Sequence, residues 1–239
     1  KGFPGKMGIH TDDFASDYEN LTSAVRNAGG KVAIQLVHAG GQTSASYAGR
    51  QPLAPSAVKV DQFPEMPAEL GKDEISDIVT ALGEGARRAK AWGFDGVQLH
   101  GAHGFLINQF LSPLTNRRTD EYGGSIENRS RFLLAVYRKV REAVGPDYPV
   151  FIKLNASDHV DGGLEIDDAI FAAKRLSEVG IDAIEVSSGT QASGNRSPMR
   201  EKINKPEKEA YHLEMAGRIK EMVNCPVMVV GGFRSYEVA

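Results

Sequence analysis

Two histidines stand three residues apart in His100-Gly101-Ala102-His103-Gly104-Phe105, where an apolar run gives way to small residues. On a turn or short helix this spacing lets both rings face one side and hold a single anionic oxygen. A buried or incidental pair is the plainer reading. Zinc is a third, but no nearby Cys, Asp or Glu completes a ligand set at a recognisable spacing, so no metal site is expected. Other apolar runs also carry polar side chains near their carboxyl ends: Gln35, Lys153, and Ser187-Ser188. The Gln35 amide offers both a donor and an acceptor. Lys153 supplies a cation, or is a rim lysine reaching solvent. A strand lysine is also the nucleophile a Schiff-base lyase or aldolase needs.

Five β-branched runs carry these residues, at 32–37, 96–100, 150–155, 183–187 and 227–231. Each follows a stretch of helical period, at 13–28, 72–92, 125–144, 166–179 and 207–223, and each such stretch ends in a Gly or Pro break. Alternating units of this kind build a parallel sheet, because parallel neighbours require a crossover connection and the helix provides it. An open doubly wound sheet concentrates its site at one switch point, whereas a (β/α)8 TIM barrel collects polar groups from several strands at one rim. Polar ends on four strands favour the barrel. No G-x-G-x-x-G follows any strand, and Gly2-Phe3-Pro4-Gly5-Lys6 lacks the spacing of a phosphate loop.

Composition narrows the function classes. The 239 residues carry a net charge of −3, so no global field recruits nucleic acid or anionic membrane. No apolar run approaches the roughly 18 residues of a spanning helix, and the opening residues show no signal peptide. One cysteine, Cys225, holds neither an intramolecular disulfide nor an iron–sulfur cluster by itself. A cytoplasmic protein acting on a small molecule is expected, and a homo-oligomer is compatible with that. The first residue is Lys, so the chain is expected to be a processed chain, an expressed portion of a longer protein, or a fragment.

After Pro113 the chain reads Leu114-Thr115-Asn116-Arg117-Arg118-Thr119-Asp120-Glu121-Tyr122-Gly123-Gly124-Ser125-Ile126-Glu127-Asn128-Arg129. A charged surface turn explains this composition but not its order. Ser125 is a plausible N-cap with Glu127 near the positive helix end. From His100 through Arg129 the sequence closely resembles the Old Yellow Enzyme family of FMN-dependent oxidoreductases, which are (β/α)8 barrels. Gln35-Leu36-Val37-His38-Ala39-Gly40 resembles that family's third strand, and Val230-Gly231-Gly232-Phe233-Arg234 the end of its seventh.

The resemblance implies FMN, reduced by NADH or NADPH, and hydride delivery from the flavin to an alkene conjugated to a carbonyl or similar group. His100 and His103 would then hold the substrate's electron-withdrawing oxygen. Gln35 would meet the flavin's pyrimidine edge, and Lys153, where the family commonly has arginine, would stabilise negative charge on the reduced flavin. Gly231-Gly232 leading toward Ser235 would offer backbone N–H groups and a helix N-terminus to the FMN phosphate, with Arg234 as charge partner or as a surface residue. Stacking of nicotinamide and alkene in one pocket implies ping-pong kinetics. One position departs from the family pattern: Phe105 stands where a tyrosine usually protonates the α-carbon. Water, Tyr47, Tyr211 or another group must donate, or the chain is a non-catalytic or altered-reaction homologue. Relatives resembling dienoyl-CoA reductases carry an iron–sulfur cluster, for which this chain holds no cysteines. Five β/α units use nearly all of the chain, so residues 1–239 are expected to form part of one FMN-binding barrel domain. Matched to the family, two strands would precede Lys1 and the eighth would follow Ala239.

Overall fold

The computed structural model describes residues 2–3, 5–60 and 62–239; Lys1 and Pro4 of the opening segment, and Asp61, lie outside them. Five strands form one parallel sheet: β1 (Ala33–Leu36), β2 (Gly96–Gly101), β3 (Val150–Asn155), β4 (Ala183–Ser187) and β5 (Val227–Val229), paired in chain order. Helices precede them: α1 (Ala15–Asn27), α2 (Lys72–Ala91), α4 (Arg131–Val144), α5 (Ile166–Glu178) and α6 (Leu213–Lys220); α3 (Leu106–Leu111) follows β2 directly. This is the arc of a (β/α)8 barrel, as the alternation of periods predicts.

The strand period of two divides the arc into a dry and a polar face. Val97, Leu99, Ile152, Leu154, Ile184 and Val186 point outward and are fully buried. They pack under Ala86 and Ala89 of α2, Phe132, Leu133 and Val136 of α4, and Ala169, Ala173 and Leu176 of α5. Burial of each large aliphatic side chain contributes roughly 1.5–3 kcal/mol relative to exposure, so this layer fixes the strand register. The alternate residues Gln35, Gln98, His100, Lys153 and Glu185 carry polar groups on the other face. α2 shows why these helices form where they do. The Glu74 carboxylate accepts from the Gly71 N–H at 2.9 Å at its start, and Arg88 and Lys90 lie near the negative end of its dipole.

Three boundaries differ from the periodicity. The helical stretch at 125–144 is interrupted at Ser130, whose Oγ donates to the Ile126 carbonyl; a single turn at Ile126–Arg129, capped by Ser125 Oγ accepting from Asn128 N–H, precedes α4. The stretch at 207–223 divides into Pro206–Lys208 and α6. Residues 231–239 are loop and turn, and the Glu209 carboxylate accepts from the Arg234 and Ser235 N–H groups at 2.7 and 2.9 Å.

Candidate functional site

On the polar face of the arc four side chains form one connected row. Gln35 Nε2 donates to Gln98 Oε1 at 2.6 Å, Gln98 Nε2 donates to Glu185 Oε2 at 2.6 Å, and Glu185 Oε1 meets Lys153 Nζ at 2.8 Å. Four adjacent strands thus contribute one group each. Sequence reasoning picked out Gln35 and Lys153 but missed Gln98 and Glu185. The signal was present: Gln98 stands two before His100 and Glu185 two before Ser187, so each shares its neighbour's face.

His100 ends this row at the rim. Its Nδ1 accepts from the Ala102 N–H at 3.3 Å, which places the proton of a neutral ring on Nε2. The His103 ring lies 5.2 Å away, edge to face, with Nε2 2.8 Å from Ser187 Oγ. Burial pushes the His100 pKa down to about 3, helped by the charges of His103, Lys153 and Lys6. His103 is lowered to about 4, by burial first and then by Lys153. Both rings are neutral near pH 7, so each offers one N–H and one acceptor rather than a full charge.

His103 has a left-handed backbone, φ 61°, a conformation that costs a non-glycine residue on the order of 1 kcal/mol. Its surroundings hold it there. Gln42 Nε2 donates to the His103 carbonyl at 2.7 Å, and Asn108 Oδ1 accepts from the Gly104 N–H at 2.6 Å. Asn108 Nδ2 and Asn155 Nδ2 both donate to Asp158 Oδ1, at 3.1 and 2.8 Å, tying the turn to the end of β3. Gly104 is required: at φ 79° an added Cβ would lie 2.0 Å from Gln42 Nε2.

The opposite end of the rim holds Gly231 and Gly232, at φ 133° and 73°. A Cβ on Gly232 would lie 2.7 Å from Tyr211 Cε1, and one on Gly231 3.1 Å from His212 Cδ2, so only bare backbone fits. His212 is fully buried; Ser188 Oγ bridges its Nδ1, at 2.9 Å, to His159 Nε2, at 2.8 Å, while its Nε2 has no partner. The Arg200 guanidinium lies 4.2 Å from the centre of the Tyr211 ring, and its buried Nε is also without a partner. Arg234 NH1 donates to the Ile203 carbonyl at 2.9 Å. The structure thus joins Gln35 and Lys153 in one row through Gln98 and Glu185 and sets His100 and His103 at its rim, with Gly231 and Gly232 at the far end of the arc and Arg234 bonded to the Ile203 carbonyl.

These groups fit FMN: an amide and a cation on the inner face, a glycine backbone cradle, and two buried side-chain nitrogens without a partner, His212 Nε2 and Arg200 Nε, the second a donor that calls for an acceptor oxygen. Arg200 and His212 were not found from sequence, because the loop that carries Arg200 has no periodicity to place it.

The model of the NADH:flavin oxidoreductase / NADH oxidase family matches residues 1–239. An NADPH dehydrogenase of Geobacillus sp. (strain WCH70) is 45% identical over 77% of this chain and 52% of its own length. A 2-naphthoyl-CoA reductase solved with 2-naphthoyl-CoA superposes with a TM-score of 0.90 at 28% identity, over 100% of this chain and 38% of that one. An Old Yellow Enzyme homologue from Zymomonas mobilis superposes with a TM-score of 0.83 at 29% identity, over 100% and 67%. The chain spans 36% to 62% of the length of the curated relatives that match it over most of its own length.

Proposed function

Because this chain belongs to the NADH:flavin oxidoreductase / NADH oxidase family, the Old Yellow Enzyme family whose flavin is FMN and whose reductant is NADH or NADPH, we propose that it serves to reduce small activated alkenes. The observation that supports this best is the pair of neutral imidazoles at one end of an inner-face hydrogen-bonded row. Bound FMN supplies hydride taken from the reduced nicotinamide. Everything else falls to the chain's own groups.

His100 Nε2–H points its donor away from the Ala102 bond and is available to a carbonyl oxygen. In the tautomer in which Ser187 Oγ donates to His103 Nε2, the second ring presents Nδ1–H. Two preorganised neutral donors favour an oxygen that gains negative charge as the β-carbon is attacked, because they require no reorganisation at that moment. Gln35, oriented by Gln98, would hold the pyrimidine edge of the flavin. Lys153 would face its negative charge in the reduced state, moderated by Glu185. Gly231, Gly232, His212 and Arg200, with Arg234 beside them, would hold the phosphate end. Residues 1–239 are taken as part of one barrel domain. The small-molecule substrate, ping-pong turnover, cytoplasmic location and any homo-oligomer belong to the same proposal.

Lys153 Nζ is paired with the Glu185 carboxylate at 2.8 Å, whereas imine formation needs a free amine, which argues against the Schiff-base reading. The test uses the full-length flavin-loaded protein under anaerobic conditions. NADH or NADPH should bleach the flavin, and a cyclic enone should restore its colour. In His100→Ala/His103→Ala the enone step should slow by about 100-fold, the scale of losing oxyanion donors, while bleaching persists. Enone reoxidation that ignores both histidines, or borohydride trapping of a substrate on Lys153, would overturn the proposal.

A further inference from the structure

We propose that Lys6 is the acid that supplies the proton Phe105 cannot. This rests on the alkene-reduction reading. Hydride arriving at the β-carbon leaves an electron pair shared between the α-carbon and the oxygen held by His100 and His103. That pair must form a C–H bond with a proton from some donor. Phe105 has no exchangeable hydrogen, and on that reading the histidine N–H groups would be occupied with the oxygen.

Lys6 Nζ lies 4.9 Å from the centre of the Phe105 ring and 4.8 Å from that of Phe3. The Phe105 ring is in turn 4.6 Å from the His100 ring, centre to centre. The ammonium therefore stands beside the aromatic ring that would carry the missing hydroxyl. It is half-buried, and desolvation alone acts on it, lowering its pKa; no carboxylate offsets that. Its charge reaches His100, where it helps to keep the ring neutral. The two tyrosines open from sequence are less suited. Tyr211 Oη donates to the Pro198 carbonyl at 3.2 Å and its ring packs on Gly232, at the far end of the site. Tyr47 is 48% exposed on a separate single turn, Ala45–Ala48.

In the step itself, one Nζ–H bond breaks and the α-carbon C–H bond forms from the carbanion pair. The N–H pair stays on nitrogen, and the neutral amine later takes a proton from water. No other reactant is needed.

The test compares two acceptors in the full-length flavin-loaded protein. A neutral enone needs the proton for product, whereas a nitroalkene yields a nitronate that is stable in water without one. The ratio of enone to nitroalkene turnover should fall about 100-fold in Lys6→Met, within the range for a lost general acid. Lys6→Arg should show the same fall, because a guanidinium keeps the charge but does not release its proton. Adding Phe105→Tyr to Lys6→Met should recover the ratio. In the flavin-free protein, Lys6 should acetylate at lower pH than the exposed Lys31, resolved by mass spectrometry. A wild-type ratio in Lys6→Met overturns the assignment. So does a wild-type ratio in Lys6→Arg, which would show a purely electrostatic role such as binding an anionic substrate, and so does acetylation of Lys6 in step with Lys31. If the wild-type protein reduces neither acceptor, the alkene reading itself falls, and the role of Lys6 with it.

Discussion

Lys153 and Glu185 define the charge that a bound flavin would meet. At 2.8 Å, with both side chains largely shielded from water, the carboxylate offsets much of the ammonium's field. Glu185→Gln should therefore leave Lys153 a stronger partner for a reduced, negatively charged flavin. The midpoint potential of the full-length protein should rise, by about 30 mV if the reduced two-electron state gains tenfold. A spectroelectrochemical titration showing no shift, or a downward one, would remove Lys153 from the flavin's surroundings. Lys153 was legible as a site residue because a charge inside an apolar strand is rare. Glu185 has the same strand periodicity, but its importance lies in the partner it meets across the sheet, which no spacing along the chain reveals.

Among the elements, the segment after α3 shows how a recognisable motif divides its duties. Asn116 Nδ2 donates to the Phe110 and Tyr122 carbonyls at 2.7 and 2.8 Å, closing the loop on itself. Arg118 is buried and donates to the Pro55 and Leu70 carbonyls at 2.9 and 2.7 Å and to Asp120 at 2.7 Å. It thereby pins the small parallel pairing of Leu53–Ala54 with Ala68–Glu69, inside a connection whose shape composition leaves open. Arg129 donates to the Leu111 and Gly124 carbonyls and pairs with Asp168 of α5 at 2.8 Å. These buried arginines brace the connection at 53–70 and the end of α3, and are not part of a surface turn. Arg118→Met strands two carbonyls and a carboxylate, and should cost about 2–4 kcal/mol in chemical denaturation. A loss below about 1 kcal/mol would show that water replaces the guanidinium without penalty.

For the whole molecule, buried histidines link stability to pH. His38 and His103 are lowered to about 4 and His100 and His212 to about 3, in each case chiefly by burial. Their unfolded value lies near 6.5. Above that value neither state binds these protons and their contribution to stability is complete. As pH falls from 6.5 toward 4, the unfolded chain takes up protons that the folded chain does not, so stability declines. Thermal unfolding should occur several degrees lower at pH 5 than at pH 7.5, in a window above most carboxylate titration. An unchanged midpoint between those pH values would contradict the burial of these rings.

The sequence by itself determined the strand and helix alternation, the barrel class, and the identity of His100, His103, Gln35 and Lys153 as polar groups at strand ends. Periodicity carries that information because a side chain's face follows from its own position in its strand or helix. Tertiary structure alone decided that Gln98 and Glu185 join Gln35 to Lys153, and that the Glu209 carboxylate receives the Arg234 and Ser235 N–H groups. It also decided that His212 lies buried beside a glycine backbone and that Lys6 stands over Phe105. Each is a contact between segments distant in the chain, set by the shared burial of the outer strand face and not by any local pattern.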